Sequence, residues 1–146
     1  MLYFDTSFLA PLILQEPTSA DVEKFVTGLP AGELAISQWT RIEFSSLLAR
    51  EVRMGGLDSR VARDADTQFD ALVAESFIVL LPNADDFALA RQNLQTYESG
   101  LRAGDALHLA IAANRRADAI YSLDKALLKA GKLLGVPVSV GIRIAG

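Results

Sequence analysis

The sequence predicts an α/β fold built on a mainly parallel sheet covered by helices. Two observations predict it. Short apolar runs alternate with longer stretches whose apolar residues recur every three or four positions, and glycines stand mostly where a helix should stop or a turn begin. The 146 residues are 51% hydrophobic, enough for one core. No stretch reads as a linker, repeat or low-complexity tract, so one domain over residues 1–146 is expected.

Met1-Leu2-Tyr3-Phe4-Asp5 is apolar up to an acid and feeds Thr6-Ser7 and an apolar run from Phe8 to Leu14, a buried strand leading into a helix. Residues 33–37 predict a second strand and residues 38–54 a long amphipathic helix. Residues 58–75 carry Val61, Ala65, Phe69, Leu72 and Val73 at helical spacing. Residues 77–81 predict a third strand, followed after Pro82-Asn83 by a helix to about Tyr97. The last third predicts a helix over about 105–116, a strand over 119–122, a helix over about 125–134 and a strand over 136–140 broken by Pro137.

Composition narrows the chemistry. The absence of cysteine excludes disulfides, iron–sulfur clusters and thiolate zinc sites, and a single histidine excludes an all-imidazole metal site within one chain. Any metal must be held mainly by oxygen. A net charge of −4 gives no global attraction to phosphate backbones, so a nucleic-acid substrate would need local arginine, lysine or bound cations. No run approaches the roughly 18 apolar residues of a membrane span, and the start lacks the basic region of a signal peptide, so a cytoplasmic protein is expected.

Most of the eighteen acids have structural explanations. Asp64, Asp66, Asp70 and Glu75 lie on a polar helix face, and Asp85-Asp86 open a helix, where negative charge suits the macrodipole. Four others stand out. Asp5 ends one apolar strand and Asp124 closely follows another, which in an open parallel sheet turns both toward one crevice; each could equally cap the helix after it. Glu43 sits on or beside the apolar stripe of its helix, where an unpaired carboxylate is costly, unless Arg41 or Arg50 pairs with it. Asp105 opens an apolar helix, as a cap or as a site residue beside Gly104, whose missing side chain permits close approach. Two carboxylates ~4 Å apart repel by about 4 kcal/mol at an effective dielectric of 20, so a cluster of four calls for divalent cations or protons. Hard oxygen ligands favour Mg²⁺ or Mn²⁺.

The opening Met-Leu-Tyr-Phe-Asp5-Thr6-Ser7, the isolated Glu43, the run from Leu101 through Gly104-Asp105 to Ala110, and Tyr121-Ser122-Leu123-Asp124 together resemble PIN-domain proteins. The likeness spans essentially the whole chain and is closer to the VapC toxins of bacterial and archaeal toxin–antitoxin pairs. It implies a three-layer α/β/α sandwich and a Mg²⁺ or Mn²⁺ site formed by Asp5, Glu43, Asp105 and Asp124. It also implies endonucleolytic cleavage of RNA by a metal-activated water, leaving 5′-phosphate and 3′-hydroxyl ends, together with homodimerisation and neutralisation by a cognate VapB-like antitoxin. Thr6, Ser7 and Ser122 match hydroxyl positions beside the acids, able to orient water or phosphate oxygens or simply to cap helices. Ser122 stands where threonine is more familiar.

Arg41 and Arg102 are the nearest cations in sequence to the four acids and, with Lys125, are candidate RNA contacts; Arg115, Arg116, Lys129 and Lys132 could line the approach. His108 reads as a core residue, with a general-base role as the alternative, and Trp39 as core rather than a stacking platform. An apolar partner groove is expected between the first two helices, around Leu9, Leu12, Val22 and Phe25. Two other readings compete. A haloacid-dehalogenase-type phosphatase would need an acid two residues after Asp5, where Ser7 stands; a catalytically silent PIN-like binding module would not need all four acids.

Overall fold

The computed structural model describes residues 1–143. Among them the order is β1 (Leu2–Phe4), α1 (Thr6–Ile13), α2 (Ser19–Thr27), β2 (Leu34–Ser37), α3 (Gln38–Arg53), α4 (Ser59–Ser76), β3 (Ile78–Leu80), α5 (Ala84–Leu94), α6 (Ala103–Asn114), β4 (Ala119–Tyr121), α7 (Lys125–Leu133) and β5 (Val138–Ser139). The five strands form one sheet in the order β3-β2-β1-β4-β5, and every pairing is parallel. Leu2 aligns with Leu34 of β2 on one side and with Ala119 of β4 on the other.

This order places a topological switch at β1. From β1 the chain builds outward through β2 to β3, and only later returns to add β4 and β5 on the opposite side. Connections leaving the ends of β1 and β4 diverge there and leave a crevice between them. Asp5 follows β1 directly and Asp124 opens α7 just after β4, so both acids stand at that crevice.

Alternation along β1 divides the interior. Phe4 joins Phe8, Leu9, Ile36, Phe44 and Phe69 under α1 to α4, while Tyr3 joins Leu109, Ile111, Ile120 and Leu127 under α6 and α7. Successive side chains of a strand point to opposite faces, which makes three layers of the fold. A short apolar strand buried on both faces is the consequence of that position, and β2 is buried at all four residues. β3 differs because it is the sheet edge: Ile78 is 47% exposed.

Two element boundaries and the expected groove depart from the sequence reading. α6 begins at Ala103, two residues before Asp105. β5 is only Val138–Ser139, with Pro137 preceding it rather than interrupting it. The seam between α1 and α2 is closed, not a groove: Leu9 and Val22 have no exposed surface and belong to the core. The open apolar cleft lies alongside instead, about 660 Å³, between the ends of α1 and α2 and the end of α4, where Leu12, Val26, Leu29, Leu72 and Phe77 line it.

Asp86 opens α5 as expected but is fully buried rather than on a solvated face. Arg115 Nη1 donates to both its oxygens at 2.7 and 2.8 Å, and Asn114 Nδ2 donates at 2.8 Å. The knot fastens α5 to the end of α6, and the cation and hydrogen bonds hold the Asp86 carboxyl below the usual range against the opposing effect of burial. No described helix is long and apolar enough to cross a membrane.

Candidate active site

Asp5, Glu43, Asp105 and Asp124 line one cleft of about 550 Å³, with Thr6, Ser7 and Trp39 in its walls. The topology supplies two of the acids from the β1 and β4 ends, α3 supplies Glu43, and α6 carries Asp105 in its first turn.

Asp5 is 3% exposed and is the N-cap of α1. Its Oδ1 accepts the Phe8 amide at 3.1 Å and the Ser7 hydroxyl at 2.8 Å, and its Oδ2 accepts the Ser122 hydroxyl at 2.7 Å. Ser7 Oγ in turn accepts the Leu123 amide at 3.0 Å, and Ser122 Oγ the Asp124 amide at 3.0 Å. The two serines therefore sew the ends of β1 and β4 together around the carboxylate. Burial raises the Asp5 pKa, and the opposing influence of His108 and of these hydrogen bonds does not cancel it.

Glu43 accepts Thr6 Oγ1 at 2.7 Å and a hydrogen bond from His108 Nε2 on the same oxygen. His108 is 1% exposed, and its Nδ1 meets the Tyr3 hydroxyl at 2.7 Å, which meets Ser37 Oγ at 2.9 Å. An ionised carboxylate can only accept, so His108 Nε2 donates to Glu43, while Nδ1 shares a hydrogen bond with the Tyr3 hydroxyl. With both nitrogens engaged, His108 is a buried positioning residue for Glu43 and has no lone pair available as a general base. Burial works to raise the Glu43 pKa, but the bonds and charge of His108 and the Thr6 bond outweigh it and hold the carboxyl below its ordinary value. Arg41 does not reach Glu43; it pairs with Asp70 on α4.

Asp124 caps α7, its Oδ1 accepting the Ala126 and Leu127 amides at 2.8 and 3.3 Å. Asp105 is no cap. The N-cap of α6 is Arg102, whose side chain makes no capping bond, and Asp105 lies three residues further on. The hydroxyl and imidazole donors of the cleft serve Asp5 and Glu43. Partial burial, then the charges of Asp124, Asp5 and Glu43, push the Asp105 pKa up to about 6 despite His108. Gly104 has the close approach its position suggests: a Cβ there would lie 3.0 Å from Glu43 Oε2 and 3.4 Å from the Trp39 ring. Trp39 Nε1 is buried without a hydrogen-bond partner, and its ring walls both this cleft and an apolar one lined by Ile42, Phe87, Leu94 and Leu107.

Of the cations singled out from sequence, Arg102 and Lys125 are exposed at the starts of α6 and α7 and outside the cleft lining, while Arg115 is bound to Asp86. Arg50, read only as a pairing partner for Glu43, lies in the lining. Its place seven residues after Glu43, two helical turns along the same face, was the available signal.

The donor set fits a hard divalent cation: it is all oxygen, it concentrates negative charge, and it leaves the Asp105 pKa raised by its acidic neighbours. Among the described residues no three acids converge tightly enough to grip an ion as they stand, and Asp5 and Glu43 accept hydrogen bonds from hydroxyl and imidazole donors.

The PIN-domain family model matches residues 2–133. The chain belongs to the PIN-domain family. Among solved structures this PIN domain is similar to the VapC20 toxin of Mycobacterium tuberculosis, described as cleaving the sarcin–ricin loop, at 20% identity and a TM-score of 0.73 over 99% of this chain and 100% of that one. A Pyrobaculum aerophilum protein matches at 26% identity and a TM-score of 0.63, over 88% of this chain and 78% of that one. The VapBC-1 complex of nontypeable Haemophilus influenzae matches at 15% identity and a TM-score of 0.69, over 97% and 98%. No curated protein matches the sequence.

Proposed function

We propose that this PIN domain is a divalent-metal-dependent endoribonuclease acting as the toxin of a toxin–antitoxin pair. The observation that carries the nuclease reading is the concentration of four carboxylates at the switch point, with Asp105 strained upward to about 6 by its acidic neighbours. Asp5, Glu43 and Asp105 would hold Mg²⁺ or Mn²⁺, and Asp124 would complete the set. The bound ion supplies a lowered pKa for the attacking water and stabilises charge on the phosphorane and leaving oxygen. The chain's own residues do the positioning. Ser7 and Ser122 fix both oxygens of Asp5, His108 and Thr6 fix Glu43, and Gly104 leaves Glu43 room beside Asp105.

The toxin role is supported by the likeness to VapC20 and to VapBC complexes. It brings a cognate VapB-like antitoxin and a homodimer in the cytoplasm, and the apolar cleft beside Leu12 and Phe77 is a surface suited to such a partner.

The test is cleavage of a mixed cellular RNA pool by antitoxin-free protein with Mg²⁺ or Mn²⁺, against EDTA and against Asp5→Asn, with mapped ends. Defined cuts bearing 5′-phosphates that vanish with chelation and with the substitution are expected. Cleavage that survives both controls, or 2′,3′-cyclic phosphate ends, would overturn the mechanism. No cleavage would bring the silent binding module forward.

A further inference from the structure

Among the described residues one basic side chain lines the cleft that holds the four carboxylates, and it is Arg50. Arg50 is exposed, and the described ion pairs leave it out: Arg41 goes to Asp70, Arg115 to Asp86, and the leading partners of Glu43 are His108 and Thr6. Glu43, Leu47 and Arg50 follow one another at steps of four and three along α3, with Ser46 three residues after Glu43, so they share the face that walls the cleft. Seven residues of helix set Arg50 about 10 Å along the axis from Glu43.

That separation decides what it can touch. A polyanionic strand entering a cleft of four carboxylates meets charge of its own sign, which a divalent ion at the acids relieves only locally. A phosphate about 10 Å away lies a full screening length from the ion at ordinary salt and needs its own counter-charge. A guanidinium matches that need, because its planar fork donates two parallel hydrogen bonds to a phosphate and is always charged.

We propose that Arg50 is the phosphate-positioning residue of this cleft, binding a backbone phosphate of single-stranded RNA one or two nucleotides along the strand from the one that is cut. The assignment rests on the nuclease reading. It sets the direction of the substrate, which runs along α3 from the acids toward the α3–α4 turn, and it places the influence of Arg50 on binding rather than on the chemical step.

The experiment is steady-state cleavage of a fluorescent mixed-sequence single-stranded RNA in Mn²⁺ over a range of salt, for the wild type, Arg50→Ala, Arg50→Lys and Arg53→Ala. Arg53 is the neighbouring arginine on α3 outside the cleft. Arg50→Ala is expected to raise KM about tenfold with kcat nearly unchanged, and to flatten the log–log salt slope of kcat/KM by about 0.7. Arg50→Lys should keep the slope, and Arg53→Ala should match the wild type. Wild-type KM and slope in Arg50→Ala, or a loss confined to kcat, would overturn the assignment. If no protein cleaves, the nuclease reading fails by itself. Anisotropy binding of the same RNA to the wild type and Arg50→Ala then decides on Arg50, equal affinity and slope counting against it.

Discussion

Replacing Asp105 by asparagine is expected to stabilise the metal-free protein at neutral pH, although it removes a residue of the candidate active site. The Asp105 carboxyl is raised from 3.8 to about 6 by burial and by Asp124, Asp5 and Glu43. The folded protein therefore holds this proton more tightly than the unfolded chain does. The favourable contribution is complete below about pH 3.8 and is lost as pH rises through about 6. At about 1.4 kcal/mol per pH unit the full shift corresponds to about 3 kcal/mol, and since the carboxyl is partly solvated, about 1–2 kcal/mol remains after screening. Asparagine carries no charge to repel. In EDTA, the stability of Asp105→Asn relative to the wild type should therefore grow by about 1–2 kcal/mol between about pH 4 and about pH 8, a gain of about 3–6 °C in Tm at the upper end. Urea unfolding at several pH values reads this directly. Adding Mn²⁺ should reverse the order, because an ion that binds only the folded wild type raises its stability by about 2.7 kcal/mol at a hundred times Kd. A stability difference that stays constant across pH in EDTA would refute the claim that the acids repel one another in the folded state.

Two further substitutions separate positioning from stability. Gly104→Ala places a methyl group 3.0 Å from Glu43 Oε2, so Glu43 must move; divalent-ion affinity by calorimetry should fall about tenfold or more, while alanine in a helical turn keeps thermal stability within about 1 kcal/mol. Unchanged affinity would show that Glu43 yields at no cost. Asp86→Ala removes the fully buried carboxylate that accepts from Arg115, Asn114 and the Asn83 amide at the start of α5, and should lower stability by about 2–4 kcal/mol in urea with cleavage per folded molecule unchanged. Because the Asp86 pKa is lowered, its contribution is present above about pH 3.8 and is lost as pH falls below that.

The sheet was legible because its inner strands are largely buried on both faces, which leaves continuous apolar runs in the sequence, and its polarity followed from the helices between them. The four acids were legible for a related reason. Asp5 and Asp124 end or follow such runs, and Glu43 interrupts an apolar stripe. What escaped depends on contacts between distant segments. Nothing local marks α6 as starting at Ala103, since Arg102 offers no capping side chain. The Asp86–Arg115 knot joins residues 29 positions apart, so Asp86 reads locally as a helix-opening acid and Arg115 as a free cation. His108 bridges Tyr3 and Glu43, a link invisible to periodicity although its burial was expected.

The cap and site readings of Asp5 and Asp124 are not rivals, and their coexistence explains how the fold tolerates the cluster. Asp124 caps α7 through Oδ1 alone, so its second oxygen is not needed by the helix. Asp5 uses one oxygen for the α1 amide and receives a serine hydroxyl on each. α1, α6 and α7 all begin at the cleft, and each helix start carries roughly half a positive charge from its aligned peptide dipoles. Together these starts offset part of the negative charge before any ion arrives. Asp105, already inside its helix rather than at the cap, makes no hydrogen bond to the free amides as Asp5 and Asp124 do, and it is the acid whose pKa rises to about 6. The helix starts thus leave a deficit centred on one carboxylate, and that is where a divalent cation gains most by binding.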